Sequence, residues 1–262
     1  MMNVENRFCQ VSGVKVHLRQ GGQGRPILFL HGAGGVTGWS PFFEQLAQGA
    51  QVWAPDHPGF GQSDDPAWIK HMPDLAMFYL DFLDQLAPAE GFDVVGHSIG
   101  GWLAAEIAVR NSRHVRSLTL MASAGLRVPG TPMGDIFIWN DEETARHLVF
   151  DPDLRAARLA AQPSEEEADI LVRNKFSFAK LAWHPRLFNP DLQKWLHRIQ
   201  VPTQVIWGDH DGLFPLAYAQ HWHQQLPASA LHIVPDCGHS PINEKPAETA
   251  ALIHQFIAKT AA

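Results

Sequence analysis

Cysteine is nearly absent from the chain: Cys9 and Cys237 are the 2 among 262 residues. They stand far apart in sequence, nothing suggests a disulfide scaffold, and a reducing compartment, the cytoplasm, is the expectation. No apolar run approaches the ~18 residues of a membrane span. The opening stretch Met1-Met2-Asn3-Val4-Glu5-Asn6-Arg7 lacks the apolar region of a secretory signal. Blocks of Lys or Arg are missing too, and a net charge of -7 argues against a surface built for phosphate backbones. The one acidic run, Glu165-Glu166-Glu167, is short and reads as a solvated helix face. Histidine is plentiful at 15 residues, yet HExxH and paired Cys/His ligand spacing are lacking, and His221 and His223 do not share a helix face well. No Walker-type loop occurs. What remains is a protein that meets a small-molecule substrate, with no nucleic acid, membrane, metal or cofactor expected. Monomer and homodimer are both compatible with the sequence.

What the chain does have is apolar material, 45% of its residues, enough for one substantial core; one domain with an insertion suits the length better than two domains. Residues 7–11 and 14–19 read as an opening antiparallel hairpin turned at Ser12-Gly13. After the loop Gly21-Gly22-Gln23-Gly24 comes Pro26-Ile27-Leu28-Phe29-Leu30, a continuous apolar run of the kind buried on both faces of a parallel sheet. Similar runs recur at 51–54, 92–95, 117–121, 203–207 and 231–234, with helical patterns at 41–47, 74–86, 99–110, 215–226 and 247–258 between them. In one of these, Leu75, Phe78, Tyr79, Phe82, Leu83 and Leu86 fall at the three-and-four spacing of a single helix face. Alternating strand and helix predicts a mostly parallel α/β sheet. The alternation breaks between about 126 and 196, where Pro, Trp and Phe mix with helical patches at 142–149 and 165–176. This is neither Gly/Ser-rich nor poor in aromatics, so it reads as a helical insertion rather than a linker. The expected division is a core of residues 1–125 and 197–262 and an insertion of 126–196.

The sharpest chemical signal is Gly96-His97-Ser98-Ile99-Gly100-Gly101, which follows the strand run ending Val94-Val95 and leads into Trp102-Leu103-Ala104-Ala105, a helix opening. A tight strand-to-helix turn lifts the Ser98 hydroxyl clear of the sheet, and only small residues at Gly96 and Gly100 let the backbone close beneath it. The helix start offers unpaired N–H groups and a positive dipole end beside that hydroxyl. A serine nucleophile needs a base and an acid that orients the base. In such a fold these sit in loops after later strands, in the order Ser, acid, His. Gly208-Asp209-His210-Asp211-Gly212-Leu213-Phe214 follows one strand and Pro235-Asp236-Cys237-Gly238-His239-Ser240 follows the next. His239 is the base; Asp209 and Asp211 both qualify as the acid.

Taken together these segments resemble the α/β-hydrolase superfamily over nearly all the chain outside the insertion. The residues that carry the likeness are His31-Gly32-Ala33-Gly34-Gly35, Asp56-His57-Pro58-Gly59-Phe60-Gly61-Gln62-Ser63-Asp64, the Ser98 turn, Gly208-Asp209-His210-Asp211 and Gly238-His239, in family order. The resemblance implies an eight-stranded, mostly parallel sheet with helices on both faces and a helical cap. It implies Asp211 as the acid, because relatives with a W-G-x-x-D pattern use its last residue. It also implies an oxyanion loop at His31-Gly32, with the backbone N–H groups of Ala33 and Ile99 as donors and His31 as a ring that fixes the loop. His57 and His97 are expected as supporting or surface groups, Asp64 and Asp65 as groups that cap or solvate their turn, and Cys237 as a small buried hydrophobe. Candidate pocket residues are Gly32, Gly34, His97, Phe137, Trp139, Trp183 and Phe214; Phe176, Phe178 and Phe188 are further aromatics of the insertion.

The activity these features imply is hydrolysis of a carboxylic ester of an apolar or aromatic molecule through an acyl-enzyme. Relatives that use an aspartate nucleophile, the dehalogenases and epoxide hydrolases, are disfavoured by Ser98. Length and layout also resemble the C–C bond hydrolases of ring-cleavage products, although many of those carry Trp directly after Gly-His, where this chain has Ser240. Cofactor-free haloperoxidases share the triad, and a ligand-binding receptor that keeps an intact triad is the alternative from another class.

Overall fold

A computed structural model describes residues 3–226 and 228–260; Met1 and Met2, which open the stretch read for a targeting signal, lie outside them. The chain opens with the hairpin β1 (Val4–Val11) and β2 (Val14–Gly21), turned through Ser12 and Gly13 at positive φ. It continues with β3 (Arg25–Leu30), α1 (Pro41–Leu46), β4 (Ala50–Pro55), α2 (Met72–Leu86), β5 (Phe92–His97), α3 (Ile99–Arg110) and β6 (Val115–Met121). Three helices follow before the sheet resumes: α4 (Asp141–Leu148), α5 (Pro152–Ala160) and α6 (Glu165–Ala182), then a 3₁₀ turn at Leu192–Arg198. The last elements are β7 (Thr203–Gly208), α7 (Leu216–Gln225), β8 (Ser229–Val234), α8 (Pro241–Glu244) and α9 (Pro246–Lys259).

All eight strands form one sheet in the order β1-β2-β4-β3-β5-β6-β7-β8. Among the described residues, only the β1–β2 and β2–β4 pairings are antiparallel. The central strands β5 and β7 are buried at every residue, which is why they read as unbroken apolar runs rather than alternating ones. One apolar cluster, with α2, α3 and α7, covers one face of the sheet, and a second, with α1 and α9, covers the other. After β3 the strand order runs outward to β4, whereas β5 is added on the opposite side of β3. The carboxyl ends of β3 and β5 flank that reversal, the position at which open α/β sheets hold their ligands.

The segment between β6 and β7 departs from expectation at two places. Helix α6 runs to Ala182 rather than stopping near 176, because Asn174, Ser177, Phe178, Leu181 and Ala182 give it a buried stripe. Helix α5 was not expected, since prolines bracket it. Pro152 instead occupies the first turn behind the N-cap Asp151, where the missing N–H costs nothing. No helix among the described residues is long and apolar enough to cross a membrane.

Candidate active site

Strand β5 ends at His97 and α3 begins at Ile99, so Ser98 alone makes the turn, with φ 56° and ψ −118°. Its N–H donates to Met121 O at 2.9 Å, which pins the turn to β6. A Cβ on Gly100 would stand 2.0 Å from Leu30 O, and one on Gly96 2.3 Å from Gly100 O. Any side chain at either position would push the Ser98 turn off the sheet.

Two loops from the far side of the sheet converge on this turn. Ser98 Oγ lies 3.0 Å from His239 Nε2, and His239 Nδ1 lies 2.8 Å from Asp211 Oδ2. The carboxylate can only accept, so Nδ1 carries the proton and Nε2 is left to accept from the serine hydroxyl. Asp211 Oδ1 takes the N–H groups of Leu213 and Phe214, each at 2.9 Å, so both oxygens are engaged and the acid cannot swing away. All three side chains are buried. Asp209, the other acidic residue of the loop, faces elsewhere: its Oδ1 accepts the Cys237 N–H at 3.2 Å and braces the loop that carries His239. Cys237 is buried, and burial pushes its thiol well above the ordinary range, so it stays protonated.

The loop after β3 comes down against Ser98: a Cβ on Gly32 would stand 3.3 Å from Ser98 Cβ and 3.0 Å from His97 Nδ1. Gly35 N–H closes a turn onto Gly32 O at 3.1 Å. Ile99, one of the two expected donors, opens α3, where N–H groups have no intrahelical acceptor. His31 and His57 stack behind this loop with centroids 3.7 Å apart. His31 Nε2 accepts the His57 N–H at 3.0 Å, His57 Nε2 donates to His31 O at 3.1 Å, and Tyr79 Oη donates to His57 Nδ1 at 2.6 Å. Every proton in this set is assigned by its partner, and both imidazoles are neutral. Burial drives His57 well below its usual pKa and His31 down to about 4. His57 is therefore not a surface group.

The remaining expected residues divide. Phe214 is fully buried with its ring 5.6 Å from that of His239. His97 does not act as a free pocket wall. Its Nε2–H donates to His239 O at 3.0 Å, and burial, aided by the nearby His239, holds its pKa at about 3. Phe137 stacks on Phe178 at 4.7 Å, while Trp183 packs edge-on against Phe137 and takes the Arg186 guanidinium over its ring at 4.3 Å. Trp139 stacks on His147 at 4.4 Å. Trp139 and Trp183 thus find these partners within the 126–196 segment. Asp64 and Asp65 reach beyond their own turn, to Lys15 N–H and to Lys180.

Gly34 is tied to α6 by a residue that the sequence pattern did not single out. Buried Asn174 donates from Nδ2 to Gly34 O at 2.8 Å and accepts the Gly61 N–H on Oδ1 at 2.9 Å. Ser177 Oγ donates to Gly59 O at 2.5 Å and Arg173 Nε donates to the same oxygen at 3.2 Å. The available signal was polar Asn174 and Ser177 in the same i, i+3, i+4, i+7 stripe as Phe178 and Leu181.

An eight-stranded sheet of this order, with a serine at a strained strand-to-helix turn beneath a histidine and a carboxylate, defines a class of hydrolase fold. The chain belongs to the alpha/beta hydrolase family, whose model matches residues 27–252. It is 30% identical to a 2-hydroxymuconate semialdehyde hydrolase of Pseudomonas sp. (strain CF600), over 95% of this chain and 92% of that protein. It is 27% identical to a 2-hydroxy-6-oxo-2,4-heptadienoate hydrolase of Pseudomonas putida, over 96% of each. Among solved structures, a membrane phospholipase A described as a bacterial virulence factor superposes with a TM-score of 0.81 at 24% identity, covering 98% of this chain and 87% of that one. That likeness speaks for the fold alone.

Proposed function

We propose that this chain hydrolyses a carbon–carbon bond in a ring-cleavage product, a 2-hydroxy-6-oxo-dienoate, using Ser98 as nucleophile, His239 as general base and Asp211 as the acid that orients it. The observation that carries this reading is the 30% identity, nearly end to end, with a 2-hydroxymuconate semialdehyde hydrolase. It is preferred over the carboxylic ester as first choice of substrate.

The chemistry asks little more of the site than ester cleavage does. Ketonisation of the dienol moves its hydroxyl proton to C5, which makes the C5–C6 bond breakable. Ser98 Oγ then bonds to the C6 carbonyl carbon as its proton passes to His239 Nε2, and Asp211 stabilises the imidazolium. The Ala33 and Ile99 N–H groups meet the charge that grows on the carbonyl oxygen. The C5–C6 bond breaks with its electron pair going to C5, conjugated with the 2-oxo group, and the product takes its proton from His239. Water, deprotonated by the same nitrogen, then cleaves the Oγ–acyl bond and releases the acid.

One residue favours a second reading. Ser240 stands where many C–C hydrolases carry Trp, and a carboxylesterase would use the same relay without ketonisation. The two separate on purified wild type and Ser98→Ala, given 2-hydroxymuconate semialdehyde and a p-nitrophenyl ester series. The proposal expects wild type to bleach the dienolate chromophore with a kcat/KM well above that for any ester, and Ser98→Ala to lose this cleavage. Turnover of esters alone would establish the esterase. Saturable binding with no turnover of either would point to the receptor reading.

A further inference from the structure

From the last turn of α4 to the N-cap of α5 the chain runs His147-Leu148-Val149-Phe150-Asp151, and this short stretch meets both loops of the relay. Leu148 O accepts the His239 N–H at 2.9 Å, and His147 O accepts the Gly212 N–H at 3.0 Å. Both approaches need glycine on the core side. A Cβ on Gly238 would stand 2.6 Å from Leu148 O, and one on Gly212 2.6 Å from His147 O. With His97 Nε2–H on His239 O at 3.0 Å, the backbone of the base is held from the nucleophile strand and from the insertion at once.

Glu244 completes the arrangement. Its own N–H donates to Ser240 O at 3.0 Å, which keeps it on the loop of His239. Its Oε1 accepts the Gly238 N–H at 2.9 Å, and its Oε2 accepts the N–H groups of Phe150 at 2.8 Å and Asp151 at 3.1 Å. One carboxylate therefore ties the residue before the base to the end of the insertion's brace. We infer that Glu244 is a positioning residue, coupling the seating of the insertion on the core to the placement of the His239 imidazole. This rests on the reading of Ser98 and His239 given above.

The chemistry of the side chain makes the coupling testable. A carboxylate only accepts, so its two oxygens can serve three N–H donors on two sides. The amide of Gln has one acceptor oxygen; it can serve one side while its NH2 confronts an N–H on the other. Asp keeps the charge but lacks the methylene needed to reach both sides.

The test is the rate at which a fluorophosphonate labels Ser98, followed by mass spectrometry, in wild type, Glu244→Gln, Glu244→Asp and Ser98→Ala. Thermal unfolding is recorded for each. Wild type should label and Ser98→Ala should not. Glu244→Gln and Glu244→Asp, folded and cooperative in unfolding, should label more slowly by roughly ten- to a hundredfold, the loss expected when a catalytic group is displaced by a fraction of an ångström to one. On whichever substrate wild type turns over, kcat should fall by a similar factor with KM within about twofold. Labelling of both variants at the wild-type rate overturns the inference. So does the absence of a cooperative transition in both, since the carboxylate would then be required for folding itself. A wild type that fails to label overturns the reading of Ser98 instead, and the inference falls with it.

Discussion

The ring of His31 grips the carbonyl oxygen of its neighbour Gly32 at 2.7 Å. Because His31 Nε2 already accepts the His57 N–H, the proton sits on Nδ1 and is donated to that carbonyl. The C=O of Gly32 and the N–H of Ala33 belong to one planar trans peptide and point in opposite directions. Holding the oxygen on the buried side turns the Ala33 N–H outward, away from the histidine stack. His31 acts on a proposed oxyanion donor without touching substrate.

His31→Leu should accordingly lower kcat by about 10²-fold, comparable to losing one oxyanion donor outright. It should also cost about 1–3 kcal/mol, because the buried His57 N–H loses its acceptor. Steady-state kinetics and urea denaturation on the same preparation would check both, and an unchanged kcat would sever the loop from the chemistry.

A pH dependence of stability follows from the same buried imidazoles. Burial holds His31, His57 and His97 below the ordinary histidine pKa, to about 4 for His31 and about 3 for His97. In the unfolded chain each takes up its proton near pH 6.5. Between these limits the unfolded state binds more protons, so stability is full above about pH 6.5 and falls as the pH drops toward 4. Each histidine contributes a slope of up to about 1.4 kcal/mol per pH unit in that window. Denaturant titrations at pH 7, 6 and 5 should show the decline, and His97→Gln should make it shallower. Equal stability at pH 7 and 5 would contradict the assignment.

Most of the sheet was readable because central strands are buried on both faces, so apolar runs such as Ile27-Leu28-Phe29-Leu30 mark them directly. The helix Ile99–Arg110 was readable to the residue, since the Ser98 turn sets its start. What escaped was structure made by polar groups between distant segments. Nothing in the local pattern around Asn174 or Glu244 says that one reaches Gly34 and Gly61 and the other Phe150 and Gly238. The buried His57 escaped for a related reason: its partner Tyr79 lies on α2, and only the folded sheet brings α2 under the loop.

The choice between the two acids of one loop has a direct test. Asp211→Asn would present an amide to His239 Nδ1 and favour the wrong tautomer, so kcat should drop by about 10⁴-fold with the fold intact. Asp209→Asn keeps an oxygen for the Cys237 N–H and should leave kcat within a few-fold. Kinetics of both variants side by side would decide, and equal losses would remove Asp211 from its proposed role.

Asn174 offers a test of whether α6 steadies the loop proposed to hold the oxyanion. Its amide uses both ends at once, donating to Gly34 O and accepting from Gly61 N–H. Asn174→Leu has nearly the same volume but leaves the buried Gly61 N–H without its acceptor, a cost of about 1–3 kcal/mol, and releases the Gly34 carbonyl. Asn174→Asp restores the acceptor for Gly61 yet sets a carboxylate against the Gly34 carbonyl, so it should be at least as damaging. The consequence should extend beyond stability. Gly34 follows Ala33, and a loosened Gly34 frees the peptide that His31 holds from the other side. Both variants should therefore lose kcat by roughly tenfold or more at a temperature where circular dichroism shows them folded, whereas Ser177→Ala, which removes a donor to Gly59 farther from that loop, should lose stability with kcat nearly unchanged. If Asn174→Leu lowers only the unfolding midpoint and Ser177→Ala behaves the same way, α6 holds the segment between β6 and β7 down without tuning the chemistry beneath it.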